Sequence, residues 1–200
     1  KLTSMTDPSG TTWYDYDKMG RVTMETKQVN NLFYRTEYSY DSNGNLSTIT
    51  YPGGRKITYT YNQLNRGISV TETFNGMTRI LASNIIYLPF GNMTSLTYGN
   101  NLQQIVGYDQ RYRITSMTTG NILNLSYTYV NNGNITGITN NLNPANTKSY
   151  TYDSLNRLTI ATGQWGAITY AYDSVGNRTY ETTDTGNTTY SYTANKLIST

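Results

Sequence analysis

Carboxylates are the groups whose recurrence in this sequence invites a chemical reading. Asp17, Asp41, Asp109, Asp153 and Asp173 follow Tyr16, Tyr40, Tyr108, Tyr152 and Tyr172. A carboxylate pair can hydrolyse a glycosidic bond, and tyrosines beside it could stack on a sugar. A catalytic pair would be singular, however, and these aspartates recur at one place in a repeat. Asp15, Asp17 and Gly20 offer a second chemistry, calcium capture, which needs oxygen ligands at loop positions one, three and five and a carboxylate at twelve. Met19 and Thr26 occupy the fifth and twelfth places, so that loop is a turn. "DSNGN" from Asp41 is closer in composition and also lacks the later acidic ligand. The chain has no His and no Cys, which removes the commonest general base, thiolate metal sites and disulfides. The sequence therefore predicts no catalytic residue, no metal site, no cofactor and no enzyme.

The elements that position these residues are strands. Tyrosine dominates the aromatics with 21 copies, against three Phe and two Trp, and Gly is frequent at 17. β-branched and aromatic residues punctuated by Gly and Asn favour strands and tight turns. No apolar stretch is long enough to form a membrane-spanning helix, and residues 1–20 lack the pattern of a signal peptide. A net charge of +3 without a Lys/Arg cluster speaks against nucleic-acid binding.

Alignment on the tyrosine gives nine units, anchored at Tyr16, Tyr40, Tyr61, Tyr87, Tyr108, Tyr129, Tyr152, Tyr172 and Tyr192, spaced 20 to 26 residues apart. A second tyrosine two places earlier, as in Tyr38, Tyr59 and Tyr150, has the period of a strand. Four places after the anchor stand Gly20, Gly44, Asn65, Gly91, Tyr112, Gly133, Asn156 and Gly176. Gly and Asn enter the left-handed region most cheaply, and Asp with Gly three places later is a type I turn signature. Each unit is thus a hairpin with one fixed corner and one variable turn. Tyr112 breaks the pattern; because positive φ costs a bulky residue about 1–2 kcal/mol, its corner is expected to take another geometry. The prediction is an all-β chain, residues 1–200, of stacked antiparallel hairpins without a separate catalytic domain.

These residues resemble the tyrosine-aspartate repeats of the RHS family, found in bacterial RHS proteins, insecticidal Tc toxin shell components and teneurins. The resemblance runs from Tyr14 to Leu197. It implies a sheet that spirals into a hollow shell, and in the toxins a shell that encloses a C-terminal toxic segment. It further implies an extracellular or cell-surface location and, as an alternative function, adhesion to carbohydrate or a partner protein through the repeat surface. A "DPxGL" type self-cleavage motif closes such shells. Asp7, Pro8, Ser9 and Gly10 match its start, but Thr11 replaces the leucine, so the segment is read as a turn and no protease is carried over.

"KLTSM" at residue 1 matches the strand that opens with "RLTIA" at Arg157, and "NKLIST" begins a strand without a partner. The array is therefore expected to be cut in mid-repeat at both ends. Eighteen strands about 4.8 Å apart would make a sheet roughly 85 Å wide, whose edges pair with flanking repeats or other copies. The expected partners are those edges, and a cargo polypeptide or a carbohydrate. From Arg21 to Lys196 the residue after the turn position alternates between basic and Asn. Basic groups about 19 Å apart lie beyond a Debye length of about 8 Å, and descent from a two-hairpin ancestor explains the alternation. Trp13 is expected to be buried, and Trp165, in "GQWGA", is the better candidate for a partner contact.

Overall fold

A computed structural model describes all residues, 1–200, and the chain divides into two compact units, Lys1–Gln104 and Ile105–Thr200. The first unit holds β1 (Ser4–Asp7), β2 (Gly10–Tyr16), β3 (Val22–Val29), β4 (Leu32–Tyr40), β5 (Leu46–Thr50), β6 (Lys56–Tyr61), β7 (Gly67–Phe74), β8 (Met77–Tyr87) and β9 (Met93–Tyr98). Each pairs antiparallel with the next. β10 (Gln103–Tyr108) follows.

The second unit repeats the meander with β11 (Ile114–Thr119), β12 (Leu123–Tyr129), β13 (Ile135–Asn140), β14 (Lys148–Tyr152), β15 (Leu158–Gly163), β16 (Gly166–Tyr172), β17 (Arg178–Thr183) and β18 (Gly186–Thr189). From β11 to β18 successive strands again pair antiparallel. A separate hairpin joins β19 (Ser191–Thr193) to β20 (Lys196–Ser199). The fold is all-β, as the alternation predicts.

One irregularity recurs that the strand period does not announce. Tyr61 pairs with Gly67 while its neighbour Thr60 pairs with Ser69, so Ile68 is an extra residue on the descending strand. The same β-bulge follows the anchors Tyr16, Tyr40, Tyr129, Tyr152 and Tyr172. A bulge raises the local twist and re-aims the side chain beside it. Here it sits beside the anchor tyrosine at each of these corners.

The core is thin. Only Ile57, Val106 and Ala161 are buried hydrophobics, and no side chain is fully enclosed. A sheet of this kind is held by its ladders and by pairs across neighbouring strands, each contributing roughly 0.2–1 kcal/mol. On one face threonine hydroxyls pair, as in Thr73 with Thr78 at 2.8 Å and Thr151 with Thr159 at 3.0 Å. The other face carries Ile57, Tyr59 and Tyr61, but it is not purely apolar and aromatic as the pattern of β6 suggests. Glu72 stands directly opposite Ile57, almost buried, between the guanidinium groups of Arg55 and Arg79. A buried carboxylate needs such partners, so this face holds an ion triplet.

Trp13 corrects a second expectation: it is 39% exposed. Strand alternation puts it on the face opposite Tyr14 and Tyr16, where its ring tilts against Phe33 at a centroid distance of 6.3 Å.

Candidate functional site

The predicted site residues gather at one end of the hairpins, four corners in the first unit and the rest in the second. At the first corner Asp17 N donates to Arg21 O at 2.9 Å and Gly20 N donates to Asp17 O at 3.0 Å. These two bonds make a type I turn followed by a left-handed residue. They recur at Asp41 with Gly44, Asn62 with Asn65, Leu88 with Gly91, Asp109 with Tyr112, Val130 with Gly133, Asp153 with Asn156 and Asp173 with Gly176. Tyr112 therefore departs from expectation: it takes φ 60° in the same path as the others. The bonds Asp109 N to Arg113 O and Tyr112 N to Asp109 O, at 2.9 and 3.0 Å, offset the strain.

The carboxylate locks the corner from its side chain. Asp153 Oδ1 accepts from Arg157 N at 2.9 Å and Oδ2 accepts from Arg157 Nε at 2.6 Å. Asp17 with Arg21 and Asp109 with Arg113 do the same, each with Nε 2.7 Å from Oδ2. Where Asn follows the turn, its amide takes the guanidinium's place: Asn45 Nδ2 and Asn177 Nδ2 donate to Asp41 Oδ2 and Asp173 Oδ2, both at 2.9 Å. Backbone bonds from Arg21, Arg113 and Arg157 hold the carboxyls of Asp17, Asp109 and Asp153 below their ordinary range. The Asn45 amide does so for Asp41. At Asp173 burial pushes upward, yet the Asn177 bonds prevail and the carboxyl is also lowered.

One corner shows what the carboxylate supplies. Asn62 Oδ1 accepts from Leu64 N and Arg66 N at 2.9 and 3.1 Å, but an amide has no second acceptor to offer. Arg66 Nε is buried there with no hydrogen-bond partner.

The anchor tyrosines act between hairpins, a role that spacing alone does not reveal. Tyr40 Oη donates to Val22 O, Tyr61 Oη to Leu46 O and Tyr152 Oη to Ile135 O, each at 2.8 Å. Tyr87, Tyr129, Tyr172 and Tyr192 reach Gly67 O, Ile114 O, Leu158 O and Arg178 O in the same manner. Each hydroxyl ties its hairpin to the first residue of the preceding descending strand, at the carbonyl beside the bulge. Burial raises the hydroxyls of Tyr61, Tyr129, Tyr152 and Tyr172 above their ordinary range. Donor and acceptor lie 14 to 20 residues apart and the acceptor is Val, Leu, Gly, Ile or Arg, so no fixed spacing in the sequence announces these ties.

A different feature lies on the second unit. Leu123, Leu125, Ile138, Asn140, Asn146, Lys148, Gln164 and Trp165 line a half-open cavity of about 400 Å³. Lys148 Nζ stands 5.4 Å from the Trp165 ring centroid, and Trp165 is 45% exposed.

Residues 1–27 and 35–74, which span the first three corners, match the family model of the RHS repeat. Those two stretches are similar to the RHS repeat. Among curated proteins none matches the chain. Solved structures do: a crystal structure of TcdB2-TccC3-Cdc42 is 20% identical, with a TM-score of 0.80 over 95% of this chain and 12% of that one. A crystal structure of TcdB2-TccC3 is 21% identical, with a TM-score of 0.78 over 92% of this chain and 12% of the other. The chain thus spans about an eighth of the length of those it matches, and the likeness shows a shared repeat-sheet fold.

Proposed function

We propose that the chain is a structural wall segment of a larger RHS protein whose sheet closes around a cargo polypeptide, and that the protein is secreted or displayed at the cell surface. The observation that carries this reading is the fold likeness to TcdB2-TccC3 along almost the whole chain. The thin core supports it as well. A sheet held by ladders, corner locks and tyrosine ties, rather than by an enclosed interior, is suited to be extended by further hairpins and to serve as a wall. Flanking repeats pair with its edges, since an open strand edge invites another. The test is electron microscopy of the full-length gene product with limited proteolysis. A hollow particle that protects an internal segment is expected; a solid rod or an open ribbon would overturn the proposal.

A second reading attaches to the Trp165 cavity. A cavity of about 400 Å³, with apolar walls and a few polar groups, is within the range of small-ligand sites. Trp165, Lys148, Asn140 and Gln164 together suit a carbohydrate. A glycan array probed with the chain should then show signal that Trp165→Ala removes; an array without signal would leave the wall as the sole role.

A further inference from the structure

The basic residues after the turn do more than face solvent. Arg21 holds its guanidinium carbon 4.4 Å from the ring centroid of Tyr40, the anchor of the following hairpin. Arg66 does so over Tyr87 at 5.0 Å, Arg113 over Tyr129 at 4.5 Å and Arg157 over Tyr172 at 4.8 Å. These distances are those of cation–π contacts. Arg66 and Arg157 also donate through Nη1 to Leu88 O at 2.9 Å and Asp173 O at 2.8 Å, carbonyls in the next corner. Lys1, at the equivalent place in "KLTSM", has Nζ 5.3 Å from the Tyr16 centroid.

Asn at this place makes a different clasp. Asn45 Nδ2 donates to Asn65 Oδ1 at 2.8 Å, and Asn177 Nδ2 donates to Asn195 Oδ1 at 3.2 Å. Asn134 reaches Asn156 Oδ1 at 3.4 Å. The acceptor is the side chain at the next hairpin's turn position.

The two clasps go with two kinds of following turn. Lys1, Arg21, Arg66, Arg113 and Arg157 are followed by Gly20, Gly44, Gly91, Gly133 and Gly176; Asn45, Asn92, Asn134 and Asn177 are followed by Asn65, Tyr112, Asn156 and Asn195. The glycines lie at φ 88°, 87°, 106°, 105° and 97°, the other residues at 59°, 60°, 64° and 60°. Side chains tolerate the second range, whereas the first favours Gly. At two turns the basic side chain also lies where a Cβ would be: a Cβ on Gly20 would stand 1.7 Å from Lys1 Nζ, the mobile end of its side chain, and one on Gly44 would stand 3.3 Å from Arg21 Nη1. At Gly91, Gly133 and Gly176 a Cβ would meet nothing within 4 Å, and the backbone angle alone favours Gly. Two-hairpin descent predicts strict alternation, but Lys1 and Arg21 are consecutive basic corners, and each still precedes Gly. What holds throughout is the pairing.

We propose that each corner is a docking surface of one of two forms, and that its side chain specifies which hairpin can sit beside it. A basic corner takes a hairpin with an aromatic anchor and a Gly turn. An Asn corner takes a hairpin whose turn carries a side chain, usually an amide. Near-identical hairpins must stack in order, and from Arg21 onward any arrangement that skips one hairpin brings an Arg against a side-chain turn or an Asn against Gly. Discrimination by such mismatch is how related partners are kept apart. The pairs thus form an ordering code along the array.

A double-mutant cycle in the full chain tests this. Asn45→Arg and Asn65→Gly should each lower the Tm, by about 2–4 °C, and the double variant should regain most of the summed loss. Losses that simply add would overturn the code. Two deletions give a second measurement. Removing residues 41–61, one hairpin, seats the Asn65 turn on Arg21, while removing residues 41–87 seats the Gly91 turn there and preserves the match. The chain with the larger deletion should melt at the higher temperature. The reverse order would refute the proposal.

Discussion

The two ends of the hairpins differ in a way that shows what fixes a turn. At the corners the chain follows one path whether the first residue is Asp, Asn, Leu or Val. At the opposite end it uses several. Asn30 and Asn31, at φ 48° and 63°, make a two-residue turn of the kind that matches strand twist. Residues 141–147 form a longer connection containing a 3-10 turn, Pro144–Asn146. Tyr51 N to Arg55 O and Gly54 N to Tyr51 O repeat the corner bonds at 2.8 and 3.0 Å, so that path is available at either end. What sets the corners apart is the anchor tyrosine, which fixes each hairpin to the one before it. Uniformity comes from contacts between neighbours, and the end without them is free to vary.

The comparison breaks most visibly if both ends are lengthened. Two extra glycines between Ser154 and Leu155 should separate Asp153 from Arg157 and misplace both backbone bonds of the corner. Two extra glycines between Leu142 and Asn143 extend an exposed loop at the expense of one exposed bond, Asn143 N to Asn140 Oδ1, and even doubling a loop's length adds about 0.6 kcal/mol. Chemical denaturation should show a loss at least three times larger for the corner insertion. Equal losses would mean that the corners are turns like any other.

Much of this contrast was legible in the sequence, because Tyr-x-Tyr spacing and the Gly/Asn position are local signals. The fold follows from them. The roles of the side chains were less legible, since they depend on which hairpin lies alongside. Arg21 next to Gly20 is visible in the sequence; Arg21 over Tyr40 is not. Likewise Glu72 gives no warning that it will sit opposite Ile57, because a strand's own period does not state its partner. Trp13 was misplaced because its size suggests burial, whereas its parity with Asp15 puts it on the hydroxyl face. Tyr112 shows the same in reverse, with two backbone bonds overriding a residue's own preference.

Within the corners, the sharpest comparison is Asn62 against Asp153. Asn62→Asp supplies the missing acceptor for the buried Arg66 Nε and should raise the Tm by about 2–4 °C. Asp153→Asn should lower it by a similar amount by orphaning Arg157 Nε. Thermal melts of the two variants check both signs. If neither moves the Tm, the side-chain lock contributes nothing beyond the backbone turn.

Titration separates the same groups. Asp17, Asp41, Asp109, Asp153 and Asp173 have carboxyls lowered in the folded chain. Their contribution is complete above the unfolded carboxylate value of about 3.9 and is lost as pH falls through the lower folded values. Stability should thus hold from pH 7 to about 5 and decline below about 4. The anchors give the opposite limb. Tyr61, Tyr129, Tyr152 and Tyr172 are raised, so their contribution is complete below the unfolded value of about 10 and is lost as pH rises through the folded values. Melting temperatures across pH should show both declines, and a chain with Asp153→Asn should show a shallower acid one.

The smallest effect isolates one hydroxyl. Tyr152 and Tyr150 lie on the same strand and the same face, but only Tyr152 donates, at 2.8 Å, to a carbonyl of the preceding hairpin, Ile135 O. Tyr152→Phe keeps the ring and leaves that carbonyl without its donor, which should lower stability by about 0.5–1.5 kcal/mol. Tyr150→Phe should change it by less than about 0.5 kcal/mol, because no neighbour depends on its hydroxyl for a tie. Hydrogen exchange gives the location: in Tyr152→Phe the amides beside the bulge at Ile135 should open faster, while those of the 141–147 turn stay as they were. Equal effects of the two variants would move the tie from the hydroxyl to the ring, and the corners would then be held by packing alone.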